Sequence, residues 1–259
     1  MLGQLGFKQH WQWGVCGKHP SASDYFRLGH KNTIFDAFGD WVEKGYRSIA
    51  AKKDSVGAML SWRFWVRGSG NDAISCGILK DSIDQVGRPY PLMILGSGRL
   101  QGWQSRWCQV QWACEKTWNQ MEAISTRKYR DLRFLEEEVT RLRDPDPHWP
   151  DYEKVRLELE DIRRRSAGSG RHDDKFRFVL EIEDKVMDSL RQSEILVSMN
   201  ENPFWDRFFT LHIWQHLFQL HLKEVPKVVF MGGSSQRTYL ALFRRALNLT
   251  DFVSMWSVP

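Results

Sequence analysis

Between residues 59 and 96 three apolar runs follow one another: MLSWRFWV (59–66), AISCGIL (73–79) and PLMILG (91–96). In the first, Leu60, Trp62, Phe64 and Val66 alternate onto one face, the period-two pattern of a strand. The other two are short and apolar throughout, as buried strands are. A chain that opens with strands like these needs a sheet, and helices to cover it. Between the second and third runs lies SIDQVGRPYPL (82–92). Gly87 permits a positive φ there, and Pro89 and Pro91 push Arg88 and Tyr90 into extended conformations. Asp84 to Tyr90 is therefore expected to be a tight turn that straightens into the third strand. Asp84 and Arg88 flank it closely enough to pair, and an arginine fork on a carboxylate would fix its shape. The residues point to a braced loop before a catalytic one, with a binding role still open.

Helical spacing surrounds these strands. Ile34, Phe38, Trp41, Val42 and Gly45 mark a helix over 33–50, and a Trp-rich helix is expected from Gly102 to about Ile124. From Arg127 to Lys175 about half the residues are charged, in equal numbers of each sign. Within that run Leu132, Leu135, Val139 and Leu142 step at helical spacing, as do Tyr152, Val155, Leu159 and Ile162. The prolines of DPDPHWP (144–150) separate the two seams. The expectation is an antiparallel helical hairpin over 127–171, inserted into or laid upon the α/β body.

The last third reads as a helix at 174–192, the strand EILVSM (194–199), and a helix opened by Asn202 and Pro203. The strand KVVFM (227–231) follows, then a GGSS turn and an amphipathic helix beginning at QRTYLALFRRALNL. The whole chain, 1–259, is expected to be one α/β domain: a three-layer αβα sandwich with a mixed sheet, plus the charged hairpin.

Several function classes fall away. The 37 basic residues are interleaved with 32 acidic ones, and no nucleic-acid-binding motif accompanies the net charge of +5. Cys16, Cys76, Cys108 and Cys114 lack metal spacing and are too few for a disulfide framework, so free buried thiols in a reducing cytosol are expected. No signal peptide is expected from the first residues, and the sequence holds no run of apolar residues long enough to span a membrane. His212 and His216 are four apart, but the glutamate of a zincin is missing between them. With Gln219 and Lys223 they read as the solvated stripe of a helix, and no metal or cofactor is expected. Gly232-Gly233-Ser234-Ser235 and Gly14 to Lys18 lack the spacing of phosphate loops. Nor is there a nucleophile elbow, a kinase signature or a cysteine with a convincingly placed histidine.

Three blocks of residues resemble one family. They are Gly14 with Gly17-Lys18-His19-Pro20 and Asp24-Tyr25; then Trp62-Arg63-Phe64; then Gly77 with Ser82-Ile83-Asp84, Val86-Gly87-Arg88 and Tyr90-Pro91-Leu92. In this order and spacing the chain is similar to the TagF (ImpM) family of type VI secretion-associated proteins. It departs from the family at Ser23, Tyr25 and Asp81, and the charged hairpin has no counterpart in the motifs. The resemblance implies a three-layer α/β fold and a cytoplasmic, non-enzymatic repressor acting after translation with an FHA-domain scaffold protein. Some members are fused to a phosphatase, whose metal-binding aspartates have no match here. The shared partner-binding surface would comprise Lys18, Asp24, Trp62, Arg63, Asp84 and Arg88. The alternative is an enzyme that binds a small molecule or phosphate in a pocket of Lys18, Asp24, Asp84 and Arg88.

Overall fold

The computed structural model describes residues 10–30, 32–50, 59–148, 157–158, 160–161, 164, 174–199 and 204–259. In chain order the elements are β1 (Gln12–Gly17), β2 (Phe26–Gly29), α1 (Thr33–Ala50), β3 (Ser61–Arg67), β4 (Ala73–Lys80) and β5 (Leu92–Arg99). A 3-10 segment (Trp103–Gln109) leads into α2 (Val110–Thr126), followed by α3 (Leu132–Thr140) and α4 (Asp174–Ser189). Then come β6 (Glu194–Met199), α5 (Arg207–His221), β7 (Val228–Gly233), β8 (Thr238–Phe243) and α6 (Leu249–Trp256).

The eight strands form one sheet in the order β2-β1-β5-β4-β3-β7-β8-β6. One face carries the 3-10 segment, α2, α3, α4 and α5; the other carries α1 and α6. This is the expected αβα sandwich. Strand alternation sorts the core: Leu60, Trp62, Phe64 and Val66 face α1 and α6, whereas Trp65 faces the larger helical layer. There Trp65 meets Trp103 and Trp107 with ring centroids 5.2 and 6.1 Å apart. The tryptophans are largely core: Trp62, Trp65, Trp103, Trp107 and Trp118 are among the largest fully buried side chains. All four cysteines are free and buried.

The sheet itself departs from expectation. Among the described residues every pairing is antiparallel, where a mixed sheet was expected. The connections explain this, because β3–β4, β4–β5 and β7–β8 are joined by short loops that leave no room for a crossover helix. The difference arises at residues 238–243, whose pattern reads as the start of a helix. Tyr239, Ala241 and Phe243 are buried toward α6 while Leu240 and Leu242 are buried on the opposite face. A strand covered on both faces loses its polar alternation and cannot be told from a buried helix by periodicity. The helix comes later, where Asn248 and Asp251 cap each other's backbone in a capping box.

Two helices also differ from the reading. Asn202 and Pro203 lie outside the described residues; the described helix begins at Arg207, with Asp206 Oδ1 accepting the Phe209 N–H at 2.7 Å. Of its expected solvated stripe, His212 is fully buried and His216 and Gln219 are half-buried, while Lys223, just past the helix, is exposed. α5 packs between the 3-10 segment, α4 and the sheet, so the N-terminal part of this stripe is covered. In the charged region, Asp131 caps α3, and Leu135 and Val139 are fully buried in the common core beside β1 and α2. The first seam therefore serves the sheet. Of the second arm, residues 157, 158, 160, 161 and 164 are helical, and the pairing of the two arms lies outside the described residues.

Candidate functional site

Two of the family-like segments are locked together at the end of β1. Gly17 has φ of 122°, and a Cβ there would lie 2.1 Å from the Pro91 carbonyl oxygen. Only glycine lets the first segment approach the second this closely. Beyond it, Lys18 Nζ reaches Asp84 Oδ2 at 3.0 Å. His19 is fully buried. Its Nδ1 accepts the Ser21 N–H at 3.1 Å, which assigns the ring proton to Nε2, 3.3 Å from the Ile124 carbonyl at the end of α2. The Gln85 N–H closes onto the Ala22 carbonyl at 2.8 Å.

The 82–90 loop is built around one carboxylate. Ile83 and Pro89 form an isolated bridge, and the Gly87 N–H turns back to the Asp84 carbonyl at 3.0 Å. Gly87 has φ of 86°, as the turn requires. Asp84 Oδ1 accepts the N–H groups of Val86 and Arg88 at 3.1 and 2.8 Å. Its Oδ2 takes Arg88 Nε at 2.7 Å together with Lys18. Arg88 Nη2 then donates to the Ser23 carbonyl at 2.7 Å and lies 3.4 Å from Asp24 Oδ2. Lys18, Asp24, Asp84 and Arg88 thus form one ion-pair network.

Its electrostatics suit a brace. Burial by itself would raise the Asp84 pKa, but the Arg88 N–H, the Lys18 ammonium, the Arg88 side chain and the Val86 N–H together hold it well below the usual carboxylate range. Burial pushes the His19 imidazole below its ordinary value, and the Ile124 carbonyl opposes this only in part. Both shifts mean that the folded chain binds fewer protons than the unfolded chain. Stability is therefore expected to be level near pH 7 to 8 and to fall below about pH 6.5 as unfolded-state His19 and the likewise depressed His212 protonate. It should fall again below about pH 4, where Asp84 loses its advantage. Urea midpoints at pH 7.5, 5.5 and 3.5 check this. His19→Gln should reduce the upper slope by up to one proton and leave the lower one in place.

Lys18 and Asp84 are buried while Asp24 and Arg88 pair at the surface, and beside that pair lies an apolar patch. Tyr25, Ile83 and Val86 are 46%, 45% and 72% exposed. Tyr25 meets Tyr90 edge-on with centroids 5.4 Å apart, and Tyr90 meets Tyr46 at 5.1 Å, so a row of tyrosines supports this surface. The sequence reading missed these residues as a group. Their signal was in plain view, since Ile83 and Val86 are apolar side chains on a turn, where polar ones are usual.

Trp62 and Arg63 lie elsewhere. Trp62 is fully buried against Phe230 and Tyr239, out of a partner's reach. Arg63, on the other face of the sheet, grips Glu122 through Nε and Nη2, each at 2.7 Å, and Asn119 at 2.8 Å. It lines a cleft of about 510 Å³ with Met59, Arg207, Phe208, Leu211 and Gly233. The six residues named from the sequence therefore separate into a corner of four, one core residue and one cleft residue.

Comparison with known proteins matches residues 14–142 to the TagF N-terminal domain, type VI secretion system-associated. That span contains every one of the six residues and also α3, the first arm of the expected hairpin. The fold is similar to the crystal structure of PA0076 from Pseudomonas aeruginosa PAO1, with a TM-score of 0.51 at 15% identity over 93% of this chain and 91% of that one. No curated protein sequence matches the chain. Among the described residues no helix is long and apolar enough to cross a membrane. The corner of Gly17, Lys18, Asp84 and Arg88 is where the matched segment closes on itself, and over residues 14–142 this chain is a member of the TagF family of type VI secretion-associated proteins.

Proposed function

We propose that the protein is a non-enzymatic regulator of type VI secretion, a post-translational repressor that works in the cytoplasm by binding protein. An FHA-domain scaffold of the apparatus is the partner proposed first. The observation that carries this reading is the corner itself: Asp84 is buried among its donors, and beside the surface pair of Asp24 and Arg88 the loop exposes Tyr25, Ile83 and Val86. A carboxylate with four donors has neither a proton to give nor a lone pair readily offered to a substrate. Exposed apolar side chains on a rigid loop are what a protein partner can bury.

The test is recovery of partners from the native host with a tagged chain. The Ile83→Asp, Val86→Asp double variant is expected to keep its far-ultraviolet dichroism, lose at least about tenfold of the recovered FHA-domain protein, and release secretion from repression. Equal recovery by the folded variant would sink the assignment of this surface. Recovery of other apparatus proteins, lost in the same variant, would keep the surface and replace the partner.

A further inference from the structure

We propose that Cys108, His212 and His216 form a binding site for a thiophilic, borderline metal ion, zinc(II) in the first instance. One donor atom from each lies within 4.8 Å of the others, in a group that reaches from the 3-10 segment to α5. The sequence reading placed both histidines on a solvated stripe and found no cysteine beside them. Folding buries His212, half-buries His216 and brings Cys108 to them across more than a hundred residues of chain.

The donors are held by rigid elements. His212 and His216 are one helical turn apart on α5 and so project from the same face. Cys108 follows a break in the 3-10 segment, where Arg106 has the non-helical angles φ −142° and ψ 42°. The Cys108 N–H is anchored on Gln219 Oε1 at 2.9 Å, and Gln219 Nε2 donates to the Ser105 carbonyl at 3.3 Å. The helix that supplies both imidazoles therefore also positions the thiol, the kind of support by which outer residues orient metal ligands. One thiolate with two imidazoles suits zinc and leaves a fourth position open. Tetrahedral zinc would hold such donors roughly 3.3–3.6 Å apart, so side-chain rotations of about 1 Å close the site.

Binding has two chemical consequences. Burial pushes the Cys108 thiol up to about 12 and His212 down to about 3, so the protein offers a neutral thiol and a neutral imidazole at neutral pH. Zinc uptake breaks the S–H bond, forms a Zn–S bond and releases one proton to solvent. His212 Nδ1 accepts the Trp112 indole N–H at 3.0 Å, so Nε2 is the ring nitrogen that can ligate, and its proton must move to Nδ1. Trp112 then has to turn away. The Trp112 hydrogen bond is among the interactions given up, and three metal–ligand bonds are gained.

The experiment uses the whole chain, stripped with a chelator and kept reduced, with cobalt(II) as spectroscopic probe and zinc(II) in competition with a chelating dye. One ion per chain is expected, with a thiolate-to-cobalt charge-transfer band and a change in Trp112 fluorescence. Cys108→Ala should abolish the band. His216→Gln, at a half-buried position, should weaken zinc binding at least about 100-fold with the fold intact, since outer-shell losses alone reach 10–100-fold. Trp112→Phe removes the competing donor and should tighten binding, an effect a merely structural indole would not produce. A band that persists in Cys108→Ala, zinc affinity unchanged in folded His216→Gln, or no one-to-one uptake by the wild-type chain would each overturn the site.

Discussion

Replacing Asp84 with alanine is expected to lower the melting temperature by on the order of 10 °C, more than any other change to the charged network. The reason is the asymmetry of burial. Lys18 Nζ is 3.0 Å from this carboxylate and Arg88 Nε 2.7 Å, and the N–H groups of Val86 and Arg88 close on its other oxygen. Removing the carboxylate leaves four donors converging on a void, and a mostly buried ammonium without its counter-ion. Asp84→Asn should fall between wild type and alanine, because an amide oxygen can serve only part of the donor set. Arg88→Ala should cost less, since its guanidinium is about half exposed and water can replace it. Thermal unfolding of the three variants at pH 7 checks the ranking. If Asp84→Ala melts within a few degrees of wild type, the corner is not braced by this carboxylate, and the loop's shape must come from Gly87 and the prolines alone.

Gly17→Ala should cost about 3 kcal/mol or more, and Gly87→Ala only about 1 kcal/mol, although both glycines have positive φ. At Gly87 a Cβ meets nothing within 4 Å, so the whole penalty is the backbone conformation. At Gly17 the same backbone penalty is joined by a collision, with the Pro91 carbonyl oxygen at 2.1 Å and the Leu92 Cα at 2.9 Å. Those are backbone atoms at the start of β5, which cannot turn aside as a side chain can. The strand pair must separate, and the separation carries Lys18 away from Asp84. Urea unfolding of the two alanine variants tells conformation from collision, and equal losses would mean that β1 and β5 can yield at this point. Gly17→Ala should also weaken partner recovery from the host, whereas Gly87→Ala should leave it close to wild type.

Local regularities carried much of the architecture. The helix at 33–50 and the strand near 61–67 sit where periodicity placed them, and the strands near 73–80, 92–99 and 194–199 where short apolar runs did. Period-two alternation survives translation into structure whenever one face of a strand packs differently from the other. The brace at 84–88 was legible because a turn with glycine, proline and an acid–arginine pair has few other ways to satisfy its groups. Where each side of an element is buried, the signal disappears. That is why Thr238–Phe243 reads as helix, why the sheet was expected to be mixed, and why the stripe of α5 was assigned to solvent. The pairing of Trp62 with Arg63 as a shared surface failed for the opposite reason. Adjacent strand residues point to opposite faces, and the alternation that identified the strand also separates the two.

The amino-acid sequence alone determined the existence of most elements, the turn chemistry of SIDQVGRPYPL and the likeness to TagF proteins, because each depends on residues close together in the chain. Tertiary structure alone decided three other things: that Gly17 lies on Pro91, that Lys18 completes the Asp84 network, and that Cys108 meets His212 and His216. These are contacts between distant segments, created by the order in which antiparallel strands pair and helices cover them, and no local spacing encodes that order.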